Sequence, residues 1–396
     1  MNRFTIPRDT FYGDDALEQL KNVKGNKAMI VIGSNRLVED NTVDKVQQYL
    51  QEANISSTIY KGIKHDPSTD MIKKGVDKIN KDDYDLIIGI GGGSVIDAAK
   101  AIWIFYEHPE LTFEQATVPF GLPEMRQKAK FIAIPTTSGT ASEVTCLSVI
   151  TDSNTNIKYP IADFNITPDI AILDTTLVES MPKNIIANTG MDALSHAIEA
   201  YVSNISTPIT DALAMKSIQM IDENLLHSYY GDDKSRKQMH IAQCLAGMSF
   251  SNAVLGLVHS MSHKTGKIFN LPHGYLNAIY LPYVIQFNAK ICEDKYTDIC
   301  HKTKLYNRYS DQLKSSSQFE LSSVLVRYCE DIAEKMNIPS SLQRAGVDKK
   351  LFNDNLDKIS KAALTDPCTG TNPRKISLDE MKQLFKCAYN NGYVNF

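Results

Sequence analysis

The sequence predicts a two-part fold, in which an α/β domain with a parallel sheet is followed by an all-α domain. At 396 residues the chain is too long for a single ordinary hydrophobic core. In the first half, short β-branched apolar runs alternate with amphipathic helical patterns, as they do in parallel βαβ units. Beyond residue 184 the pattern is helical almost throughout. These observations predict domains at 1–182 and 183–396, with a hinge near Met181, Pro182 and Lys183.

The elements follow from the period of the apolar residues along the chain. Short β-branched and apolar runs predict strands at 28–32, 57–60, 86–90, 131–135 and 170–173, of which the first and third are expected to be buried. Between them, helical patterns predict helices near 41–53, 69–80 and 95–106, and Ser68 could cap the second of these. In the second half, helices are predicted at 191–202, 208–224, 238–250 and 322–336.

Composition and charge exclude several classes of protein. The net charge is −4 and no basic stretch stands out, which argues against nucleic-acid or membrane-surface binding. Seven cysteines without a CxxC pair predict reduced thiols, as in a cytoplasmic protein. The opening MNRFTIPRDTFYG lacks the apolar run of a signal peptide. The most apolar segment, 86–106, holds four glycines, Asp97 and Lys100, so we expect no membrane span.

Two loops with the composition of phosphate and ribose sites each follow a predicted strand. The first is GIGGGS at 89–94, where glycines allow close approach of a ligand and a helix N-terminus follows. The second, PTTSGTASEVT at 135–145, carries six hydroxyl side chains within ten residues. Each alone could be a tight or capped turn, and the first is not the usual GxGxxG fingerprint. Two such loops at strand ends of one open sheet predict a dinucleotide-binding site.

A cluster of metal-ligating side chains lies in the helical half. Asp192 and His196 are four residues apart and so project from one helix face, and His259 and His263 repeat this spacing shortly before His273. Six of the nine histidines lie between positions 196 and 273. A lone Asp/His pair is commonly a surface salt bridge. The cluster as a whole predicts a mixed carboxylate and imidazole site for a divalent transition metal.

The motifs together resemble those of the iron-containing (group III) alcohol dehydrogenases, over nearly the whole chain. The matching stretches are GGGSVIDAAK, PTTSGTASEVT, LDTTLVESMPKNIIANTGMDALSHAIEAY, GLVHSMSHKTGKIFNLPHG and the late TNPR. The resemblance implies the dehydroquinate synthase-like architecture of that family: an N-terminal dinucleotide-binding α/β domain, an all-α C-terminal domain, and a metal in the cleft between them.

The resemblance also implies roles for single residues. The metal ligands would be Asp192, His196, His259 and His273, while His263 would line the site near the nicotinamide as a candidate proton relay. The pyrophosphate contacts implied are Gly92, Gly93 and Ser94, and the further cofactor contacts are Thr136, Thr137, Thr140, Thr145 and Lys158. The residues implied to line the substrate pocket are Leu147, Phe250 and Cys368.

One stretch departs from the pattern of NAD-preferring members, which carry an Asp after the first strand. Here residues 32–36 read IGSNR, without an acid. We expect Ser34, Asn35 and Arg36 to contact the cofactor, and Arg36 could pair with the 2′-phosphate of NADP. Alternatively, Arg36 is a solvated turn residue and either NAD or NADP binds.

The expected function is therefore that of a metal-dependent NAD(P)-linked alcohol dehydrogenase or aldehyde reductase, with direct hydride transfer to or from a small primary alcohol or aldehyde. Fe²⁺ is the metal that the resemblance implies, and Zn²⁺ is a further possibility for such ligands. Alternatives on the same scaffold are a reductase of a short acid-bearing aldehyde such as sulfoacetaldehyde, a glycerol or diol dehydrogenase, and a dehydroquinate-synthase-like lyase. An alternative from a different functional class is a nucleotide- or metal-binding protein without catalytic activity. The complete set of metal ligands argues against it.

We also expect a cytoplasmic homodimer or higher homo-oligomer, binding neither nucleic acid nor membrane. The segment 4–13 has the pattern of an edge strand and could pair across a dimer.

Overall fold

The structure is a computed structural model that describes residues 3–33, 35–155, 157–313 and 322–396. The chain divides into two compact units, Met1–Ser180 and Met181–Phe396. Each unit is described by itself below.

The described residues of the first unit form a six-stranded sheet in which all paired strands are parallel. Its strands, in spatial order, are β1 (Asp9–Gly13), β8 (Ile170–Asp174), β5 (Lys130–Pro135), β4 (Leu86–Gly91), β2 (Lys27–Ile32) and β3 (Ser56–Lys61). The strands predicted from apolar runs are all present in this sheet, and β1 lies at its edge as expected. Pairing of β1 across a dimer stays a prediction.

A short hairpin outside the main sheet was not predicted. It consists of β6 (Leu147–Thr151) and β7 (Lys158–Ala162), which pair in antiparallel fashion. Both strands are only partly buried, and Pro160 lies within the second, so neither carries the continuous apolar run that indicates a buried strand.

Helices connect the strands of the first unit. They are α1 (Arg36–Glu39), α2 (Thr42–Glu52), α3 (Thr69–Ile79), α4 (Gly93–Glu107) and α5 (Phe113–Ala116), with 3-10 helices at Ala16–Asn22, Phe164–Ile166 and Thr175–Val178. Ser68 caps α3 as predicted, because its side chain accepts a hydrogen bond from Met71 N. In the core between sheet and helices, Trp103 stacks on Phe131 at 5.3 Å and donates its indole N–H to Ala129 O.

The second unit is helical, and its described residues contain no strand. Its helices are α6 (Lys183–Val202), α7 (Pro208–Tyr230), α8 (Asp233–Ala253), α9 (Leu257–Phe269), α10 (His273–Lys302), α11 (Leu305–Leu313), α12 (Ser322–Lys335), α13 (Lys349–Leu364), α14 (Pro367–Thr371) and α15 (Leu378–Asn390). Residues 183–202 form one helix, which is buried on nearly every side from Gly190 onward. The predicted fold class, a parallel α/β domain followed by an all-α domain, is confirmed.

Among the described helices, none is by itself long and apolar enough to cross a membrane. Only α8 and α9 taken together, across a bend of 103°, have the length and composition of a span.

Candidate metal centre and cofactor loops

Three helices of the second unit bring the predicted metal ligands together. Asp192 and His196 lie one turn apart on α6, His259 lies in the first turn of α9, and His273 is the first residue of α10. The Nε2 atoms of the three histidines each lie 3.6 Å from the same oxygen, Asp192 Oδ1. The four residues therefore direct one carboxylate oxygen and three imidazole nitrogens at a common point.

Three of these four residues are buried, whereas the side chain of His273 is 40% exposed. Burial governs the charges of the three. Asp192, His196 and His259 are each at most 5% exposed. Burial alone would raise the pKa of Asp192, but the surrounding histidines, His196 foremost, hold that pKa well below its usual value. Burial lowers the pKa of His259, yet the carboxylates of Glu199 and Asp192 outweigh it and raise the pKa to about 9. The carboxylate is therefore ionised, as a metal ligand must be.

The residues present fit a divalent transition metal. The donor atoms of Asp192, His196 and His259 all lie within 4.8 Å of one another. Asn277 is fully buried beside them, with its Nδ2 2.7 Å from Asp192 Oδ1 and its Oδ1 without a hydrogen-bond partner. A carboxylate oxygen and imidazole nitrogens are ligands that suit iron(II) or zinc.

The fourth histidine of the cluster, His263, lies beside the proposed ligands and not among them. Its ring stacks on that of His273 at 5.4 Å, and its Nδ1 lies 3.2 Å from Asp366 Oδ2. Asp366 also pairs with Lys264 and accepts a hydrogen bond from Cys368 N. The side chain of His263 is 36% exposed, so it has access to solvent while its other face is held.

Side-chain atoms of His263, Asp366 and Cys368 also lie within 4.8 Å of one another. Burial raises the pKa of the Cys368 thiol well above its usual value, so the thiol stays protonated at neutral pH. A protonated thiol is a poor metal ligand, and the group is less suited to a metal than the Asp192 cluster.

The residues predicted to line the substrate pocket lie in both units. Phe250, at the end of α8, stacks on the ring of His196 at 4.3 Å and so borders the candidate metal centre. Cys368 is the second residue of α14, next to Asp366. Leu147 belongs to the first unit, at the start of β6.

In the first unit, the sheet register places the two predicted cofactor loops side by side. Gly91 and Pro135 are paired residues at the carboxyl ends of β4 and β5, and Thr136 N donates to Gly91 O. Ligands of open α/β sheets bind at this edge. Side chains of the second loop also lie close against the glycines of the first. A Cβ added at Gly93 would lie 2.5 Å from Thr140 Oγ1, and one added at Gly92 would lie 3.4 Å from Thr137.

The start of α4 has the character of an anion site. Gly92 is the N-cap, and Gly93 and Ser94 form the first turn, where backbone N–H groups have no partner within the helix. A glycine at position 93 is required by the close approach of Thr140. The structure thus brings Gly92, Gly93 and Ser94 together with Thr136, Thr137 and Thr140.

A buried lysine that the sequence did not single out as functional ties the second loop to α4. Lys100 Nζ donates to the carbonyl oxygens of Thr145, at 2.5 Å, and Leu147, at 3.0 Å. Burial lowers the pKa of Lys100 to about 8. One turn earlier, Asp97 accepts a hydrogen bond from Val149 N, and burial raises its pKa to about 6. The sequence feature that could have predicted this contact is the single charged residue inside the apolar stretch AAKAIWIF.

The remaining predicted cofactor residues lie at the carboxyl end of β2 and on the hairpin. Arg36 begins α1, donates to Ser180 Oγ, and has a 43% exposed side chain. Asn35 is the N-cap of α1, and Ser34 lies outside the described residues. Lys158 begins β7 and forms an ion pair with Asp66 at 2.6 Å.

Comparison with known proteins gives matches along nearly the whole chain. Residues 7–175 match the family described as iron-containing alcohol dehydrogenase, and residues 186–389 match the C-terminal part of the Fe-containing alcohol dehydrogenase family. An NADPH-dependent butanol dehydrogenase from Clostridium saccharobutylicum is 52% identical over 396 residues, covering 100% of both chains.

Solved structures agree with this assignment. The iron-containing alcohol dehydrogenase from Thermococcus thioreducens matches with a TM-score of 0.88 and 32% identity, covering 98% of this chain and 99% of that one. A 1,3-propanediol oxidoreductase matches with a TM-score of 0.88 and 31% identity, covering 98% of this chain and 100% of the other. Together with the match of both units to the family, these relatives establish that the chain is an oxidoreductase of alcohols and aldehydes. Its cofactors are iron and a nicotinamide dinucleotide. The chain therefore belongs to the iron-containing alcohol dehydrogenase family.

Proposed function

We propose that this enzyme interconverts a short aliphatic aldehyde and its primary alcohol with NADPH as the preferred hydride carrier. The observation that carries the proposal is the arrangement at Asp192, where three imidazole Nε2 atoms face one carboxylate oxygen at 3.6 Å. When bound, a divalent metal supplies Lewis acidity there and the dinucleotide supplies or accepts the hydride.

The side chains around the centre are proposed to orient the substrate and move its proton. Phe250 presents an apolar ring against His196, which suits a short hydrocarbon chain and excludes water from that side. His263 is proposed as the residue that exchanges the hydroxyl proton with solvent, because one nitrogen is held by Asp366 and the side chain is partly exposed. The Gly92–Gly93 turn and the start of α4 are proposed to bind the pyrophosphate.

Preference for NADPH is supported by the charge at the end of β2. Residues 32–36 carry no acid that would accept hydrogen bonds from a ribose 2′-hydroxyl. Arg36 is partly exposed there, and its Nε lies 3.8 Å from the likewise exposed carboxylate of Asp40. The 52% identical butanol dehydrogenase is NADPH-dependent by name. The same relative supports a short aliphatic substrate.

A small diol or hydroxyaldehyde is the second candidate substrate class, because a 1,3-propanediol oxidoreductase shares the fold at 31% identity. An acid-bearing aldehyde such as sulfoacetaldehyde requires a cation for its far end. In the second unit, Lys264 lies close to the metal cluster, but it is already paired with Asp366.

A substrate panel tests the proposal. The purified chain, reconstituted anaerobically with ferrous iron, is assayed by nicotinamide absorbance with butanal, 3-hydroxypropanal and sulfoacetaldehyde, each with NADPH and NADH. We expect the highest kcat/KM for butanal with NADPH. A higher value for sulfoacetaldehyde or for NADH would contradict the proposed specificity, and no turnover with any pair would contradict the function.

A further inference from the structure

A second buried carboxylate, Glu199, lies behind the candidate metal centre. It sits on α6, one turn after His196, and is 4% exposed. Its Oε2 atom lies 2.5 Å from His259 Nδ1, which is the imidazole nitrogen on the far side of the ring from Asp192. Its Oε1 atom accepts a hydrogen bond from Val258 N at 2.7 Å. Both carboxylate oxygens are therefore committed to the first turn of α9.

The contact with His259 selects one tautomer of that imidazole. A carboxylate only accepts hydrogen bonds, so the proton of neutral His259 lies on Nδ1 and the lone pair lies on Nε2. Nε2 is the atom that faces Asp192 Oδ1. With the other tautomer, an N–H bond would point into the cluster and the nitrogen could not bind a cation.

The late TNPR motif, for which the proposed reaction has no use, holds the same turn of α9. Asn372 Oδ1 accepts a hydrogen bond from Leu257 N, and Thr371 Oγ1 donates to Leu255 O at 2.6 Å. Asn372 is itself held by a hydrogen bond from its Nδ2 to Asn288 Oδ1 on α10. Glu199 and Asn372 thus accept two successive N–H groups at the start of α9, which otherwise have no partner within the helix.

The residue before α9 leaves room for this arrangement. A Cβ at Gly256 would lie 2.9 Å from Glu199 Oε1 and 2.9 Å from Asn372 Oδ1, which real Cβ atoms do not tolerate. Any side chain at position 256 would push both acceptors away from the helix. The close approach of Glu199 to α9 is therefore built into the local sequence.

We propose that Glu199 is a positioning residue of the metal centre, whose buried carboxylate holds His259 with Nε2 free to bind the cation and fixes the first turn of α9. This inference rests on the proposed metal centre and adds a residue to it that does not itself touch the metal. Such carboxylate–histidine–metal arrangements orient the ligand and raise its basicity.

The substitution Glu199→Gln tests this proposal, because it should favour the opposite tautomer of His259. An amide has one acceptor and one donor, so when its oxygen accepts from Val258 N its NH₂ group faces His259 Nδ1. That contact favours the tautomer with the proton on Nε2. We expect the affinity for zinc, measured by competition with a chromogenic chelator, to fall about 10- to 100-fold. In ¹⁵N-histidine spectra of the zinc-free proteins, recorded at a pH above the wild-type His259 pKa of about 9 so that the imidazole is neutral, the His259 signals of the variant should report the exchanged tautomer.

Glu107→Gln is the matched control, since Glu107 is a buried carboxylate of the first unit that accepts backbone N–H groups of residues 127–129. It should leave zinc affinity unchanged even where thermal stability falls. In a His259→Ala background, Glu199→Gln should lower zinc affinity no further, whereas an effect on the fold would add to that of His259→Ala.

The outcomes distinguish this inference from the proposed function. Zinc binding by the wild type that is weakened by His259→Ala but unchanged by Glu199→Gln would overturn the role of Glu199 alone. Wild-type protein that binds no zinc would instead overturn the metal centre.

Discussion

Asp192 is the residue on which the candidate metal centre depends, because three imidazoles face one of its oxygens. An ionised carboxylate at 3% exposure is costly unless a positive charge balances it. Without a metal, His259 can supply that charge, because its raised pKa of about 9 keeps it protonated at neutral pH. A divalent cation bound to all four residues supplies the charge and leaves the imidazoles neutral. Charge balance and donor geometry therefore favour the same occupant.

His263 separates metal binding from proton transfer. Its Nδ1 is engaged by Asp366, and its ring lies against His273 without joining the ligands. We expect His263→Ala to lower kcat by about 100-fold or more, the usual effect of losing a general acid or base, while the iron content stays at the wild-type level. His301→Ala, at the exposed end of α10, serves as the control and should change neither.

The opposite result for His263→Ala, loss of iron together with activity, would make His263 a ligand. Metal analysis of the purified variant decides between the two roles.

Arg36 is expected to discriminate between the two dinucleotides. A hydrogen bond to a charged group contributes about 1.5–3 kcal/mol, so Arg36→Ala should raise KM for NADPH by about 10- to 100-fold and leave KM for NADH nearly unchanged. Steady-state kinetics with each cofactor measures this. Arg8→Ala controls for loss of surface charge, because Arg8 is also an exposed arginine paired with a neighbouring carboxylate, Asp9. Equal changes in both KM values would contradict the assignment.

At the residue scale, sequence spacing predicted which histidines come together but not what holds them. The i, i+4 pairs and His273 in LPHG are visible in the sequence, and the resemblance assigned their roles. Glu199, Asn277 and Lys100 were not predicted, because their partners lie on elements far away in sequence. The signal was present in each case: a charged or amide side chain inside an otherwise apolar helical stretch calls for a buried partner.

At the scale of elements, the central strands β2, β4 and β5 were predictable because they are covered on both faces and so form apolar runs in the sequence. The β6–β7 hairpin was missed because its strands are partly exposed. The helix predicted at 191–202 begins earlier, at Lys183. The sequence did not show this start because Asn188, Thr189 and Gly190 have weak helix propensity. Packing of α6 against α7 and α10, with Ile186 and Ala187 buried, overrides that propensity.

The approach of α10 to α6 depends on Gly274. A Cβ there would lie 2.0 Å from Asn188 O and 3.2 Å from Asp192 Cβ, so only glycine lets the start of α10 bring His273 to the cluster. We expect Gly274→Ala to lower the thermal unfolding midpoint, with an overpacking cost of about 1–3 kcal/mol, and to weaken zinc binding because His273 is displaced.

Gly266→Ala is the matched substitution, because no atom lies closer than 3.5 Å to its added Cβ. It lies inside α9 and should stabilise the helix slightly, by about 1 kcal/mol, with unchanged zinc affinity. Wild-type zinc affinity in Gly274→Ala would show that the close contact does not position His273.

At the scale of the whole molecule, the two units carry different parts of the chemistry. Met1–Ser180 carries the paired loops at the carboxyl ends of β4 and β5, and Met181–Phe396 carries the metal ligands. Composition and periodicity predicted both fold types, and the resemblance supplied the roles of the loops and ligands. Substrate choice was less accessible, because Phe250 and Leu147 belong to different units and their apolar character defines only a broad class.

The metal content of the full-length chain, after anaerobic reconstitution with ferrous iron and removal of excess iron, tests the central assignment most directly. The four-ligand centre predicts about one iron per wild-type chain and almost none in Asp192→Asn or His259→Ala variants that remain folded. Wild-type protein without bound iron, or variants that load fully, would contradict it.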